Sequence, residues 1–182
     1  MKRLFLALPL PPLLKKPASE YLKAAAENLS GVRWADSSGL HLTLHFFGEV
    51  NTERMPAIQR AAGSAASSVR PFSLGLSGLG FFPGSSQPEV IWAAPFGDLE
   101  SLKKLQTQLC FHLKSENFDL ESRPFHPHVT LGRVKAGLKE DIFAAFDFSK
   151  TTKAVISEMA LFESCSTPAG PRYEILEKFP FA

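Results

Sequence analysis

Two short stretches of the chain repeat one another: His41-Leu42-Thr43-Leu44 and His128-Val129-Thr130-Leu131. Leucine, valine and threonine in alternation favour extended backbone, so each stretch reads as a strand. In a strand, residues i and i+2 share a face. His41 and Thr43 therefore stand together on one side of the first strand, and His128 and Thr130 on one side of the second. Leu42, Leu44, Val129 and Leu131 turn the other way, into a core. A lone histidine two residues from a threonine on a solvated face carries little information. Two copies with apolar alternates, in a chain of five histidines and with Gly39, Gly48 and Gly132 close by, constrain both fold and chemistry. Each strand presents a proton carrier beside a neutral hydrogen-bond donor.

The remaining chain supplies a scaffold for these strands. Arg3 to Leu8 is an apolar run with a prolyl stop, a strand. A helix follows over Pro17 to Leu29, with Pro17 in its opening turn, since proline further inside would break it. Val32 to Trp34 is a brief strand before the loop Asp36 to Gly39. The first motif strand spans Leu40 to Phe47 and ends at Gly48. Thr52 to Val69 is an alanine-rich helix capped by Thr52. Phe72 to Phe82 alternates as a half-buried strand, and Val90 to Ala94 returns as its hairpin partner. Asp98 caps a helix to about Ser115 with Leu99, Leu102, Leu105, Leu109 and Leu113 as its apolar stripe. After the second motif come a short helix over Leu138 to Phe146, a strand over Thr152 to Glu163, and a closing partner over Tyr173 to Lys178. The order repeats loosely, one motif to each half, which is compatible with an α+β fold of antiparallel-rich sheets with helices outside.

Composition excludes several classes. With 182 residues, 45% hydrophobic and 21% charged, the chain has material for a sizeable core, and its length favours a single domain over 1–182. A net charge of +2 suits a polyanionic substrate only mildly and does not mark a tight nucleic-acid binder. Cys110 and Cys165 lack a Cys-x-x-Cys spacing and read as free thiols in a reducing compartment. Lys2-Arg3 and the apolar run behind them imitate a signal peptide, but Pro9, Pro11 and Pro12 interrupt the run, and a buried strand ending in a proline turn explains it better. No stretch approaches the ~20 apolar residues of a membrane span. A cytoplasmic protein without membrane contact is expected, and, with no heptads or exposed apolar stripe, a monomer.

The paired His-x-Thr motifs resemble those that define the two-histidine phosphoesterase superfamily, and in particular its RNA 2′,3′-cyclic phosphodiesterases, also called 2′-5′ RNA ligases. Further segments look like that family in the family's order: Arg3 to Leu8, Leu40 to Gly48, Leu76 to Gly80 with Phe82-Pro83, Val90 to Ala93, Arg123 to Val134, Leu161 to Ser164 and Tyr173 to Leu176. The resemblance covers essentially the whole chain. It implies two pseudo-symmetric lobes with the active-site cleft between them, and the opening of 2′,3′-cyclic phosphate RNA ends to 2′-phosphates. It also implies RNA partners with such ends or with 2′-5′ linkages, tRNA halves among them.

The residues can carry that chemistry without a cofactor. Two histidines with ordinary pKa values near ~6.5 can supply a base for water and an acid for the departing ribose oxygen. Thr43 and Thr130 can donate to the non-bridging oxygens, where charge gathers in the transition state. By resemblance, His41 is the proton donor to the 3′-oxygen and His128 the acceptor from water, an order that a pseudo-symmetric site could exchange. Arg133, where family members often carry arginine, suits a phosphate. Strand parity nevertheless puts it on the face opposite His128 unless the strand bends at Gly132. Phe47 shares parity with His41 and is placed to stack a base, or else belongs to the core. Trp92 reads as packing and His112 as a helical residue, solvated or at the core's edge. Two other readings stand beside this one. His41 with His45, and His126 with His128, share faces by parity and could ligate a transition metal in a metallohydrolase. A non-catalytic RNA-binding module of the same fold is the third, which has no need of paired proton carriers.

Overall fold

The computed structural model describes residues 1–84, 87–135, 148, 150–167 and 170–182. Among these residues nine strands, β1 (Lys2–Pro9), β2 (Val32–Trp34), β3 (His41–Val50), β4 (Phe72–Phe82), β5 (Val90–Gly97), β6 (Val129–Val134), β7 (Ala154–Ile156), β8 (Glu158–Thr167) and β9 (Gly170–Pro180), join three helices, α1 (Pro12–Asn28), α2 (Met55–Ala66) and α3 (Leu99–Ser115). The expected helix over Leu138 to Phe146 lies outside the described residues.

All described strand pairings are antiparallel, in the order β7-β4-β5-β6-β3-β1-β8-β9, with β2 added to β6. The fold is therefore α+β with an antiparallel sheet, as the repeat of elements suggests. The two motif strands meet in the middle. β3 touches β6 through one registered pair, Leu42 opposite Val129. On one side of this seam lie β3, β1, β8 and β9, and on the other β6, β5, β4, β7 and β2. One core joins both halves: Leu4, Leu6, Leu8, Leu42, Leu76, Ala93, Val129 and Leu131 from the strands pack with Leu14, Ile58, Leu102, Leu105 and Leu109 from the helices. Among the described residues no helix is long and apolar enough to cross a membrane.

β5 and β9 run beyond their expected ends, to Gly97 and over Gly170–Pro180, and four further boundaries depart from the sequence reading for identifiable reasons. α1 begins at Pro12 and holds Pro17 in its interior. Its buried stripe is Leu14, Ala18, Leu22 and Ala25, so the fully buried Leu14 fixes the first turn in spite of the proline. The turn before α2 is 3₁₀ and is capped by Asn51, whose side chain accepts from the Glu53 N–H, rather than by Thr52. β3 continues past Gly48, which takes φ +72, to Val50. The single strand expected over Thr152 to Glu163 divides at Ser157: β7 pairs with β4, and β8 with β1, so this segment carries the chain from one half to the other.

Candidate active site

The register at the seam arranges the motif residues in rows. Leu42 and Val129 face each other on the core side and are buried. One residue further in each direction, the antiparallel register sets His41 opposite Thr130 and Thr43 opposite His128, all on the other face. Each of these four side chains is half-buried. The positive charge of His128, when present, is felt at His41 and lowers its pKa. The two motifs thus form one centre from adjacent strands.

Each imidazole is aimed by the same device. Nδ1 of His41 lies 2.7 Å from the Gly39 carbonyl oxygen, and Nδ1 of His128 lies 2.8 Å from that of His126. A carbonyl accepts only, so Nδ1–H donates in both rings and Nε2 is the nitrogen able to take up or give up a proton. In the neutral ring Nε2 holds a lone pair; in the charged ring it holds a transferable proton.

Aromatic shells surround both rings. Phe5, Phe162 and Tyr173 lie 4.7, 5.5 and 4.9 Å from His41, with Tyr173 edge-on. Phe82 meets His128 edge-on at 5.0 Å, and Trp92 lies 6.1 Å away. Trp92 sits opposite Thr130 and lies over Gly80, where any Cβ would come within 2.0 Å of the indole. The desolvation is large at His41, whose pKa falls to about 4; the nearby His128 and Lys15 charges add to this, and the Gly39 carbonyl opposes it. The pKa of His128 is also lowered, chiefly by burial and further by the charges of His126 and Arg133, against the His126 carbonyl.

Two bulges re-aim the residues that follow the motifs. In β1–β3 the partner of Leu6 is His45 and that of Ala7 is Thr43, so Leu44 is an extra residue. His45 then stands opposite Leu6 on the core side, only 7% exposed, and its ring meets Phe47 at 4.6 Å. The expected shared face of His41 and His45 is thereby corrected: the sheet separates them. A second shift in the same strand makes Phe47 an extra residue. Phe47 packs on the core with Phe118 at 5.3 Å, and Phe46, half exposed, takes the outer face opposite Phe5. Parity with His41 therefore belongs to Phe46, not Phe47.

In β5–β6 the extra residue is Leu131, because Trp92 pairs with Thr130 and Ile91 with Gly132. Val90, two residues from Trp92 and on its face, pairs with Arg133. Arg133 is thus returned to the face of His128, and the bend expected at Gly132 occurs one residue earlier. The exposed Arg133 charge acts on His128.

His126 lies beside His128, with its ring 4.9 Å from Trp92. Among the described residues no group of three or more His, Cys, Asp or Glu side chains is arranged around a common point as metal ligands would be. Phe5, Tyr173, Phe162 and Phe82 escape a strand-by-strand reading, since only the sheet order brings β1, β9, β8 and β4 to the histidines, and Phe46 escapes it because the bulge that turns it outward exists only in the pairing of β3 with β1. For Phe5, Phe82 and Phe162 the one sequence signal is an aromatic at an alternate position in a largely apolar stretch, whereas Tyr173 lies in a strand rich in charged residues.

Residues 15–165 match the model of the 2′-5′ RNA ligase superfamily. The chain is 30% identical to the RNA 2′,3′-cyclic phosphodiesterase of Thermotoga maritima over 98% of its own length and 95% of the relative's. Among solved structures it is similar to TT0787 of Thermus thermophilus, with a TM-score of 0.82 and 28% identity over 98% of this chain and 97% of the other. It is also similar to E. coli LigT complexed with 3′-AMP, with a TM-score of 0.77 and 25% identity over 100% of this chain and 98% of the other. A match of this extent, on a chain whose two motif strands form a single centre, makes it a member of the 2′-5′ RNA ligase superfamily.

Proposed function

We propose that the protein is an RNA 2′,3′-cyclic 3′-phosphodiesterase that opens cyclic phosphate ends to 2′-phosphates with two histidines and no metal. The observation that carries this reading is the pair of imidazoles fixed through Nδ1 by carbonyls two residues upstream, each with no hydrogen-bond partner at Nε2 among the described residues and with a threonine opposite.

In this mechanism Nε2 of His128 takes a proton from water as the water oxygen bonds to phosphorus. The bond from phosphorus to the 3′-oxygen breaks opposite the attack, as in-line displacement requires. That oxygen receives the proton on Nε2 of His41, leaving a free 3′-hydroxyl and a 2′-phosphate. His128 then returns its proton to solvent and His41 is reprotonated. Thr43 and Thr130 donate to the non-bridging oxygens throughout. Arg133 adds positive charge beside the site for a polyanionic substrate, and Phe46 offers a ring to a base. With a 5′-hydroxyl in place of water, the same groups in the same roles form a 2′-5′ linkage from the cyclic end as the bond to the 3′-oxygen breaks, and with exchanged roles they cleave such a linkage back to the cyclic phosphate.

The test is turnover of short RNAs ending in a 2′,3′-cyclic phosphate, with a chelator present, the product identified by phosphorus NMR against 2′- and 3′-phosphate standards. A 2′-phosphate is expected. Activity lost to chelator and restored by zinc or manganese would replace the mechanism with a metal-dependent one. A 3′-phosphate would reverse the donor and acceptor roles.

A further inference from the structure

The rows across the seam continue beyond the histidines. β2 lies against the same edge of β6 as β3, and its Arg33 is registered opposite Arg133. Directly opposite residues of an antiparallel pair point to the same side. The bulge at Leu131 has already brought Arg133 to the face of His128 and Thr130. The outer face of the seam therefore carries three successive rows: Thr43 with His128, His41 with Thr130, and Arg33 with Arg133.

The third row sets two like charges directly opposite, an arrangement that disfavours the sheet by itself. Both arginines are exposed, and neither forms an ion pair with a carboxylate among the described residues. An anion between the guanidiniums would relieve the repulsion, and the planar fork of arginine matches phosphate oxygens. The first two rows are already committed to one phosphate. The next row, about 7 Å along the strands at two residues per row, addresses a second.

From this geometry we infer that Arg33 and Arg133 form a subsite for the phosphodiester on the 5′ side of the terminal nucleotide, so that the enzyme favours an RNA chain over a single nucleotide. The inference rests on the cyclic phosphodiesterase reading and names the substrate class of the same site. Arg33 is a specificity-determining residue here, one row away from the reacting phosphorus.

The experiment compares adenosine 2′,3′-cyclic phosphate, which has no 5′ phosphodiester, with the dinucleotide ApA bearing the same cyclic end. The wild type should prefer the dinucleotide by about tenfold or more in kcat/KM, the weight of one charge-assisted contact. Arg33→Gln should lose most of that preference through KM, and Arg33→Lys should keep part of it. Arg70→Gln removes the same charge from an exposed residue before β4 and should keep all of it. The salt dependence for the dinucleotide should become shallower in Arg33→Gln, because one screened charge contact is removed. Equal use of both substrates by the wild type would overturn the inference, and so would equal losses on both substrates in Arg33→Gln. Should neither substrate be hydrolysed, the cyclic phosphodiesterase reading fails. Titration with ApA 2′-phosphate then still decides the subsite: weaker binding by Arg33→Gln than by Arg70→Gln upholds it, and equal binding overturns it.

Discussion

Leu44 and Leu131 hold the fourth position of their motifs, and each is the extra residue of a bulge, Leu44 against β1 and Leu131 against β5. A bulge reverses the facing of everything beyond it. Phe46 and Arg133 therefore come out on the histidine face at matching places in the two halves, and His45 and Gly132 turn toward the core. The duplication thus extends to backbone irregularity, and it gives the pseudo-symmetric centre one aromatic flank and one cationic flank.

Truncation of either histidine should cut turnover by roughly 10²–10⁴-fold, the usual weight of one acid or base. The double variant should lose far less than the product of the two, because the pair acts as a unit. Single-turnover rates of His41→Ala, His128→Ala and the double variant measure this. Full activity in either single variant would remove that residue from the proton transfers.

Burial sets the sign of two pH effects. Both histidines are held below the ordinary value, His41 to about 4, so the free-enzyme bell in kcat/KM should centre on the acid side of 6.5. A bound phosphate favours the charged ring and should move the kcat bell upward. Between pH 6.5 and 4 the unfolded chain binds a proton at His41 that the folded chain refuses. Stability should therefore fall as the pH drops through that window, by up to about 3 kcal/mol. Urea unfolding at several pH values, with His41→Gln as the non-titrating comparison, would show a flatter profile in the variant; equal slopes would mean that the ring is not desolvated.

Phe46 and Phe47 should separate stability from substrate binding. Phe47→Ala empties a ring from the contact with His45 and Phe118 and should cost up to about 3 kcal/mol in folding. Phe46→Ala, on the exposed outer face, should unfold near the wild-type midpoint and raise KM for oligonucleotides instead. Chemical denaturation and steady-state kinetics on the two variants would expose the reverse assignment if it holds.

Gly80→Ala should disturb His128 without touching it. The added methyl cannot coexist with the Trp92 indole, so the ring must lift from β4 and press on Phe82 and His126. Overpacking of this kind costs about 1–3 kcal/mol. Activity should fall beyond what the stability loss explains, and Trp92→Phe in the same background should recover part of it. Unchanged kinetics in Gly80→Ala would show that the aromatic shell does not position the imidazole.

The sequence by itself determined the two motif strands and the alternation that turns Leu42 and Val129 inward. It determined β1, the β4–β5 hairpin and the Asp98-capped α3 as well, because hydrophobic periodicity and caps are local properties. It also carried the family, since the paired motifs recur with their flanks in order. Only the tertiary structure decided where α1 starts, because burial of Leu14 outweighs an interior proline. Only it decided that the Thr152 to Glu163 segment serves two strands. The facing of His45, Phe46, Phe47 and Arg133 was likewise beyond a parity count. A bulge is a mismatch in length between a strand and its neighbour, so it exists in the pairing of β3 with β1 and of β6 with β5, and in neither strand alone. The row of Arg33 with Arg133 has the same origin: distant segments become neighbours only when the sheet closes around its core.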